Sequence, residues 1–136
     1  MDDVLLDTGV LVALLNAADP KHEAASGWLS SGEYRLHTVD AVLTETSHFL
    51  PVHLRANLAD ATAAGTLQVH HPDGPAYKRA AAILRKYADL QPDWADAALV
   101  CLAERIGIHR IATLDTRDFS AYRIHGRTKF MLESLA

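Results

Sequence analysis

Four acidic residues stand where a folded chain should aim them inward: Asp7 in "VLLD", Glu45 in "AVLTETSHFL", Asp96 in "DWADAALV" and Asp115 in "RIATLD". Asp7 and Asp115 each close a short apolar run. Asp96 has Leu99, Val100 and Ala103 at i+3, i+4 and i+7, so it shares its helix face with residues suited to a core. Glu45 is accompanied on its face by Ala41, Val42 and Phe49, with no Lys or Arg within one turn. An ionised carboxylate on such a face is costly unless it is paired or holds a metal. Clustered acids also repel, which raises their pKa unless a cation intervenes. Only oxygen ligands are on offer, with no Cys/His spacing, and this selects a hard cation, Mg2+ or Mn2+. Such an ion suits metal-assisted cleavage of a phosphodiester.

Each acid has a structural use as well. Asp93 is a good helix N-cap, and Asp96 three residues on can complete a capping box. Capping accounts for Asp93 well and for Asp96 less well, given the apolar company of Asp96. Asp7 can cap the helix after it; as a site carboxylate at the strand's C-terminal edge it would be supported by the Thr8 hydroxyl. Asp115 mirrors it before "TRDF", where Thr116 or Asp118 can serve the same turn.

The order of elements is what groups these residues. "VLLD" (4–7), "YRLHT" (34–38), "TLQVHH" (66–71) and "HRIATLD" (109–115) read as short strands. Helical spacing covers 8–19, 20–31, 39–50, 52–65, 74–89 and 92–107, bounded by Pro20, Pro51, Gly65 and Gly107. The tail "YRIHGRTKFML" (122–132) alternates around Gly126 as an edge strand or a hairpin. Strands separated by helices predict an α/β domain, a parallel sheet with helices on both faces. Sites in such sheets form at the carboxyl ends of the strands, which places Asp7 and Asp115 in one crevice. With no repeat, linker or low-complexity tract, residues 1–136 are expected to form one domain.

Hydrophobic content of 49% and a mean hydropathy of zero describe a soluble globular protein. No run approaches the roughly 20 apolar residues of a membrane span. The start "MDDVLL" is acidic where a secretory signal is basic, so a cytoplasmic location is expected. The single cysteine, Cys101, lies among apolar helix positions and reads as a buried, inert thiol. A net charge of −4 argues against a general nucleic-acid coat protein. Neutralising four acids with divalent metal would bring the remaining chain to zero. Basic residues gather at Arg79, Arg85 and Lys86 and again at Arg117, Arg123, Arg127 and Lys129, available to phosphates or simply to solvent.

"LLDTGVLVALLNAADPKHEAA", "AVLTETSHFL" and "DWADAALVCLAERIGIHRIATLDTRDF" follow one another over essentially the whole chain. Together they resemble the PIN-domain ribonucleases, most closely the VapC-type toxins of bacterial toxin–antitoxin pairs. The resemblance implies a PIN-like three-layer α/β fold, with a central parallel sheet of about five strands. It makes Asp7, Glu45, Asp96 and Asp115 the catalytic acids. Asp7, Asp96 and Asp115 would hold one or two Mg2+ or Mn2+ ions, with Glu45 as a ligand or as orienter of the attacking water. Thr8, Thr113 and Arg117 become supporting contacts to water or phosphate, and Asp93 and Asp118 supporting acids. Implied partners are an RNA substrate, a VapB-like antitoxin and a second copy of the chain, with no membrane.

Other readings compete. "LLDTG" also matches the start of an aspartic protease unit, but that fold is all-β and the residues that follow are helical in spacing. A receiver domain would need an acid after a central strand, whereas "TLQVHH" ends in histidines. Adjacent His70 and His71 would point to opposite faces and read as surface residues. A PIN-like module that binds RNA or protein without cutting stays open, as does an RNA-processing nuclease with no antitoxin. Trp28, Leu29 and Phe49 serve equally as partner contacts or as core.

Overall fold

Strand β1 (Asp2–Leu6) lies at the centre of the sheet, and Val4, Leu5 and Leu6 are fully buried. Strands covered on both faces are what a parallel sheet requires. In the computed structural model, which describes residues 1–135, β1 pairs in parallel with β2 (Tyr34–Val39) and β4 (Arg110–Ala112). Beyond them lie β3 (Leu67–His70) and the edge strand β7 (Met131–Leu132), giving the order β3-β2-β1-β4-β7, parallel throughout. The expected sheet of about five parallel strands is therefore present.

The path of the chain decides where the site can be. It steps outward from β1 to β2 to β3, then returns to the other side of β1 for β4. Right-handed crossovers then put helices from the two halves on opposite faces. Helices α1 (Thr8–Leu15), α2 (His22–Ser30), α3 (Asp40–His48) and α4 (Val52–Ala63) belong to the outward path. Helices α5 (Gly74–Lys86) and α6 (Trp94–Ile106) belong to the return, and α7 (Thr116–Ala121) follows β4. A crevice opens at the carboxyl ends of the strands where the order reverses. Here those strands are β1 and β4, which lead into Asp7 and Asp115.

Helix α6 is the best specified element. The Asp93 side chain accepts from the Asp96 N–H at 2.8 Å, and Gly107 ends the helix at φ +71°, where any side chain would be strained. Its Ala97, Leu99, Val100 and Ala103 are wholly buried. The tail closes the core with Phe119, Tyr122 and Phe130, whose rings meet edge to face at 5.1 and 5.5 Å.

Several elements are shorter than the sequence pattern predicts. α1 stops at Leu15, because Asn16 turns extended and its side chain accepts from the Ala18 N–H. The run 74–89 ends its α-helix at Lys86 and continues as a 3-10 turn over Ala88–Leu90. Of 109–115 only Arg110–Ala112 is strand, since the next residues leave the sheet for the crevice. The tail is both of the expected alternatives: β5 (Arg123–Ile124) and β6 (Thr128–Lys129) form an antiparallel hairpin, and β7 is the edge strand.

One reading needs correction. His70 is not simply a surface residue. Its Nε2 lies 3.0 Å from Nδ1 of His37, and His37 Nε2 is 2.8 Å from Asp3, so β2–β3 pairing brings His70 into a partly buried polar chain. His71 is exposed, as read. Among the apolar candidates, Trp28 belongs to the core, stacked on Tyr34 at 4.6 Å, whereas Phe49 is exposed and sits beside the crevice. Cys101 is buried, and burial raises its thiol to a pKa of about 11, which fits an inert thiol. No helix among the described residues is long and apolar enough to cross a membrane.

Leu5→Ala should destabilise the protein by about 2–5 kcal/mol, the range for emptying a fully buried leucine site. Urea unfolding should show the midpoint falling with the slope unchanged; a loss under about 1 kcal/mol would mean that the central strand is not closely packed.

Candidate active site

Asp7 is placed by the sheet. Its N–H donates to the Ala112 carbonyl at 3.1 Å, which continues the β1–β4 pairing by one step and sets Thr113 beside it. The Thr113 hydroxyl donates to Asp7 Oδ2 at 2.8 Å and accepts from the Asp115 N–H at 2.9 Å. One buried hydroxyl thus ties the two strand-end acids together. The other Asp7 oxygen accepts from the Thr8 N–H at 2.8 Å. The expected support of Asp7 by the Thr8 hydroxyl is absent: that hydroxyl is buried beside the cleft with no partner. Thr113 takes the role because it lies directly across the sheet.

Asp96 enters from the first turn of α6. Its N–H is held by Asp93, and Oδ2 accepts from the Tyr122 hydroxyl at 2.8 Å. Asp115 caps α7, accepting from the Asp118 N–H at 3.2 Å. Carboxylate oxygens of Asp96, Asp115 and Asp118 lie within 4.8 Å of one another. Asp118, read as a supporting acid, belongs to that tight group, whereas Asp7 lines the same cleft outside it, as does half-buried Glu45 from α3. Arg117 is exposed on α7 next to Asp118. The open cleft, about 620 Å³, is lined by Asp7, Thr8, Glu45, Asp93, Asp96 and Asp115 among others.

Charge is the cleft's main feature. None of Asp7, Glu45, Asp93, Asp96, Asp115 and Asp118 is in an ion pair among the described residues. Burial raises Asp7 to a pKa of about 6, with Asp93 and Asp115 adding to the rise against the hydrogen bonds from Thr113 and Thr8. Burial raises Asp96 to about 8, with Asp93 and Asp7 adding to it and Tyr122 opposing. Asp118 is raised as well, by burial and then by Asp115. Crowded carboxylates, oxygen-only donors and an orphaned Thr8 hydroxyl match what a hydrated divalent cation and a phosphate group would use.

Residues 4–124 match the PIN domain family. The chain is 32% identical to Ribonuclease VapC26 of Mycobacterium tuberculosis over 131 residues, 93% of this chain and 97% of the relative. The chain belongs to the PIN-domain family. Its fold is similar to that of M. tuberculosis VapC20, described as a Sarcin-Ricin loop cleaving toxin. The TM-score is 0.79 at 22% identity, covering 87% of this chain and 94% of that one. A toxin–antitoxin complex from Klebsiella pneumoniae matches with a TM-score of 0.69 at 16% identity, covering 98% of each chain.

This PIN domain brings every acid singled out in the sequence to one cleft. It also shows a residue that the sequence did not reveal. Tyr122 is wholly buried, and burial together with its bond to Asp96 holds its phenol protonated, far above the usual range. Tyr122 lies 26 residues from Asp96, and no local spacing links them. The cleft also runs into a second groove where Phe49, Tyr77 and Trp94 lie exposed beside Glu45 and Asp93.

Raised carboxyl pKa values have a definite sign for stability. The folded state holds the Asp7 and Asp96 protons more tightly than the unfolded chain, where aspartate titrates near ~3.9. Their contribution is complete below about pH 4 and is lost as pH rises through about 6 for Asp7 and about 8 for Asp96. In EDTA, the urea midpoint should therefore fall between about pH 5 and pH 8.5, and Asp7→Asn should flatten the first part of that fall. A midpoint that rises with pH would show that the two acids ionise freely.

Tyr122→Phe removes the donor that favours ionised Asp96. Mn2+ affinity should drop about tenfold or more, the scale of one hydrogen bond to a charged group, and its pH midpoint should move upward. An unshifted midpoint would mean that Tyr122 only fills space.

Proposed function

We propose that this PIN domain is a metal-dependent endoribonuclease, the toxin of a VapBC-type pair, acting as a single domain (1–136) in the cytoplasm. The observation that carries the reading is a cleft lined by carboxylates and, among the described residues, by no Lys or Arg. The likeness to a named ribonuclease over nearly the full chain supplies the substrate class.

Asp7, Asp96 and Asp115, with Asp118 in support, would hold Mg2+ or Mn2+. When bound, the ion makes a nucleophilic water accessible near neutral pH and offsets charge on the phosphoryl oxygens. The chain's own groups do the positioning. Thr113 fixes the rotamer of Asp7 and the start of the Asp115 turn. Tyr122 and the Asp93 cap fix Asp96 from two sides. Glu45, on the opposite wall, would orient the attacking water or take its proton. The unpartnered Thr8 hydroxyl would donate to a phosphate oxygen, with exposed Arg117 as an outer phosphate contact. No covalent intermediate on the protein is required.

The VapC20 and K. pneumoniae likenesses support a VapB-like antitoxin as the protein partner. The groove beside Phe49, Tyr77 and Trp94 offers room for an antitoxin segment, with the cleft acids facing its basic side chain. Homodimerisation goes with the same reading.

Cleavage of a mixed structured-RNA pool with Mg2+ or Mn2+, alongside EDTA, tests the activity. Asp96→Asn should cost more than about a hundredfold, beyond the loss seen for groups that only support a metal ligand. Asp93→Asn keeps a good N-cap and should cost about tenfold or less. Equal cleavage by Asp96→Asn and wild type would remove the assigned site, and the reverse order would exchange the roles of Asp93 and Asp96.

A further inference from the structure

Two segments that pack against α6 contain no acidic residue at all: 74–88 and 119–132. They carry seven of the chain's 13 Lys and Arg residues, Lys78, Arg79, Arg85, Lys86, Arg123, Arg127 and Lys129. In a protein of net charge −4, that is a strong local reversal.

The fold joins these segments into one surface. The Arg123 N–H donates to the Tyr87 hydroxyl at 3.0 Å, and the His125 N–H donates to Glu104 at 2.6 Å, which docks the β5–β6 hairpin across α5 and α6. At the hairpin turn, the Lys86 ammonium lies 3.4 Å from where a Gly126 side chain would begin. Arg127, in the hairpin turn, and Lys129, on β6, are both exposed. Lys129 stands opposite Arg123 in the antiparallel register, and because the Arg123 guanidinium donates to the Ser120, Ala121 and Tyr122 carbonyls, Lys129 is left to face outward charge. Glu104 is already held by Arg79 at 2.8 and 3.0 Å. Arg85, Lys86, Arg127 and Lys129 have no acidic partner among the described residues.

Position relates this surface to the cleft. Arg123 follows Tyr122, whose hydroxyl bonds Asp96. A cleft lined by carboxylates repels a polyanion, so its substrate must be held by charge outside the cleft.

We propose that the surface formed by the C-terminal turn of α5 and the β5–β6 hairpin, with Lys86, Arg127 and Lys129 at its centre, grips the RNA phosphate backbone beside the cleavage point. This deepens the ribonuclease reading and rests on it for the identity of the polyanion. The contact is to backbone charge and carries no base recognition.

The test is binding of a fluorescein-labelled RNA stem-loop by anisotropy in EDTA across a salt series. Wild type is compared with Lys86→Ala/Arg127→Ala/Lys129→Ala and with Lys21→Ala as a control lying outside both segments. All three patch side chains are exposed, so the variant should fold, and its circular dichroism should match wild type. The variant should bind about tenfold or more weakly, and its log–log salt slope should fall by about 2, at roughly 0.7–0.9 per lost phosphate contact. Unchanged affinity and slope would overturn the proposal and leave the patch to an acidic protein segment. Cleavage with Mn2+ separates the two readings. A chain that binds RNA through the patch yet cuts none loses the nuclease reading and keeps this one. A patch variant with wild-type kcat/KM does the opposite.

Discussion

Asp7, Glu45, Asp93, Asp96, Asp115 and Asp118 meet at the carboxyl edge of this sheet with no ion pair among the described residues, and much of the local structure bears on that charge. Burial, with repulsion from neighbouring carboxylates adding to it, raises Asp7 to about 6 and Asp96 to about 8, so without a cation the folded state favours a proton on Asp96 near neutral pH. Helix termini supply part of the missing positive charge. Asp7 caps α1, Asp93 caps α6 and Asp115 caps α7, so three helix N-termini are turned to the same cleft. Capping therefore does not exclude the proposed metal binding by these aspartates. The cap fixes the carboxylate, and its remaining lone pairs face the cleft.

Two hydroxyls connect that edge to the rest of the protein. Thr113 bridges the strand-end acids across the sheet, and Tyr122 reaches Asp96 from the core. Because the Tyr122 ring packs edge to face on both Phe119 and Tyr87, the position of a cleft oxygen depends on aromatic packing behind it. A change in that packing would reach Asp96 without touching it.

Overall charge hides this organisation. The net value of −4 averages an acidic crevice with the base-rich surface of α5 and the hairpin. A nuclease cleft needs both, one to hold cations and the other to hold the polymer those cations act on. The separation is possible because β1, β4 and the N-terminal turn of α6 build the cleft, while the end of α5 and the tail build the basic surface.

The strand–acid units at Asp7 and Asp115, the Asp93 cap and the Gly107 stop were legible because each is a local rule, in which a few consecutive residues fix both backbone and side chain. The apolar neighbours of Asp96 and Glu45 likewise disclosed which way those acids point. Three-dimensional contacts lay beyond such rules. That Thr113 and not Thr8 supports Asp7 depends on β1–β4 register, set between residues over 100 positions apart. The bond from Tyr122 to Asp96, the drawing-in of His70 by His37, and the use of the tail as both hairpin and edge strand depend equally on distant packing. The sequence by itself determined which residues would carry charge to the edge of the sheet, through periodicity and caps. Only the tertiary structure decided which neutral groups hold those charges in place, because a hydrogen-bond partner is chosen by proximity in space.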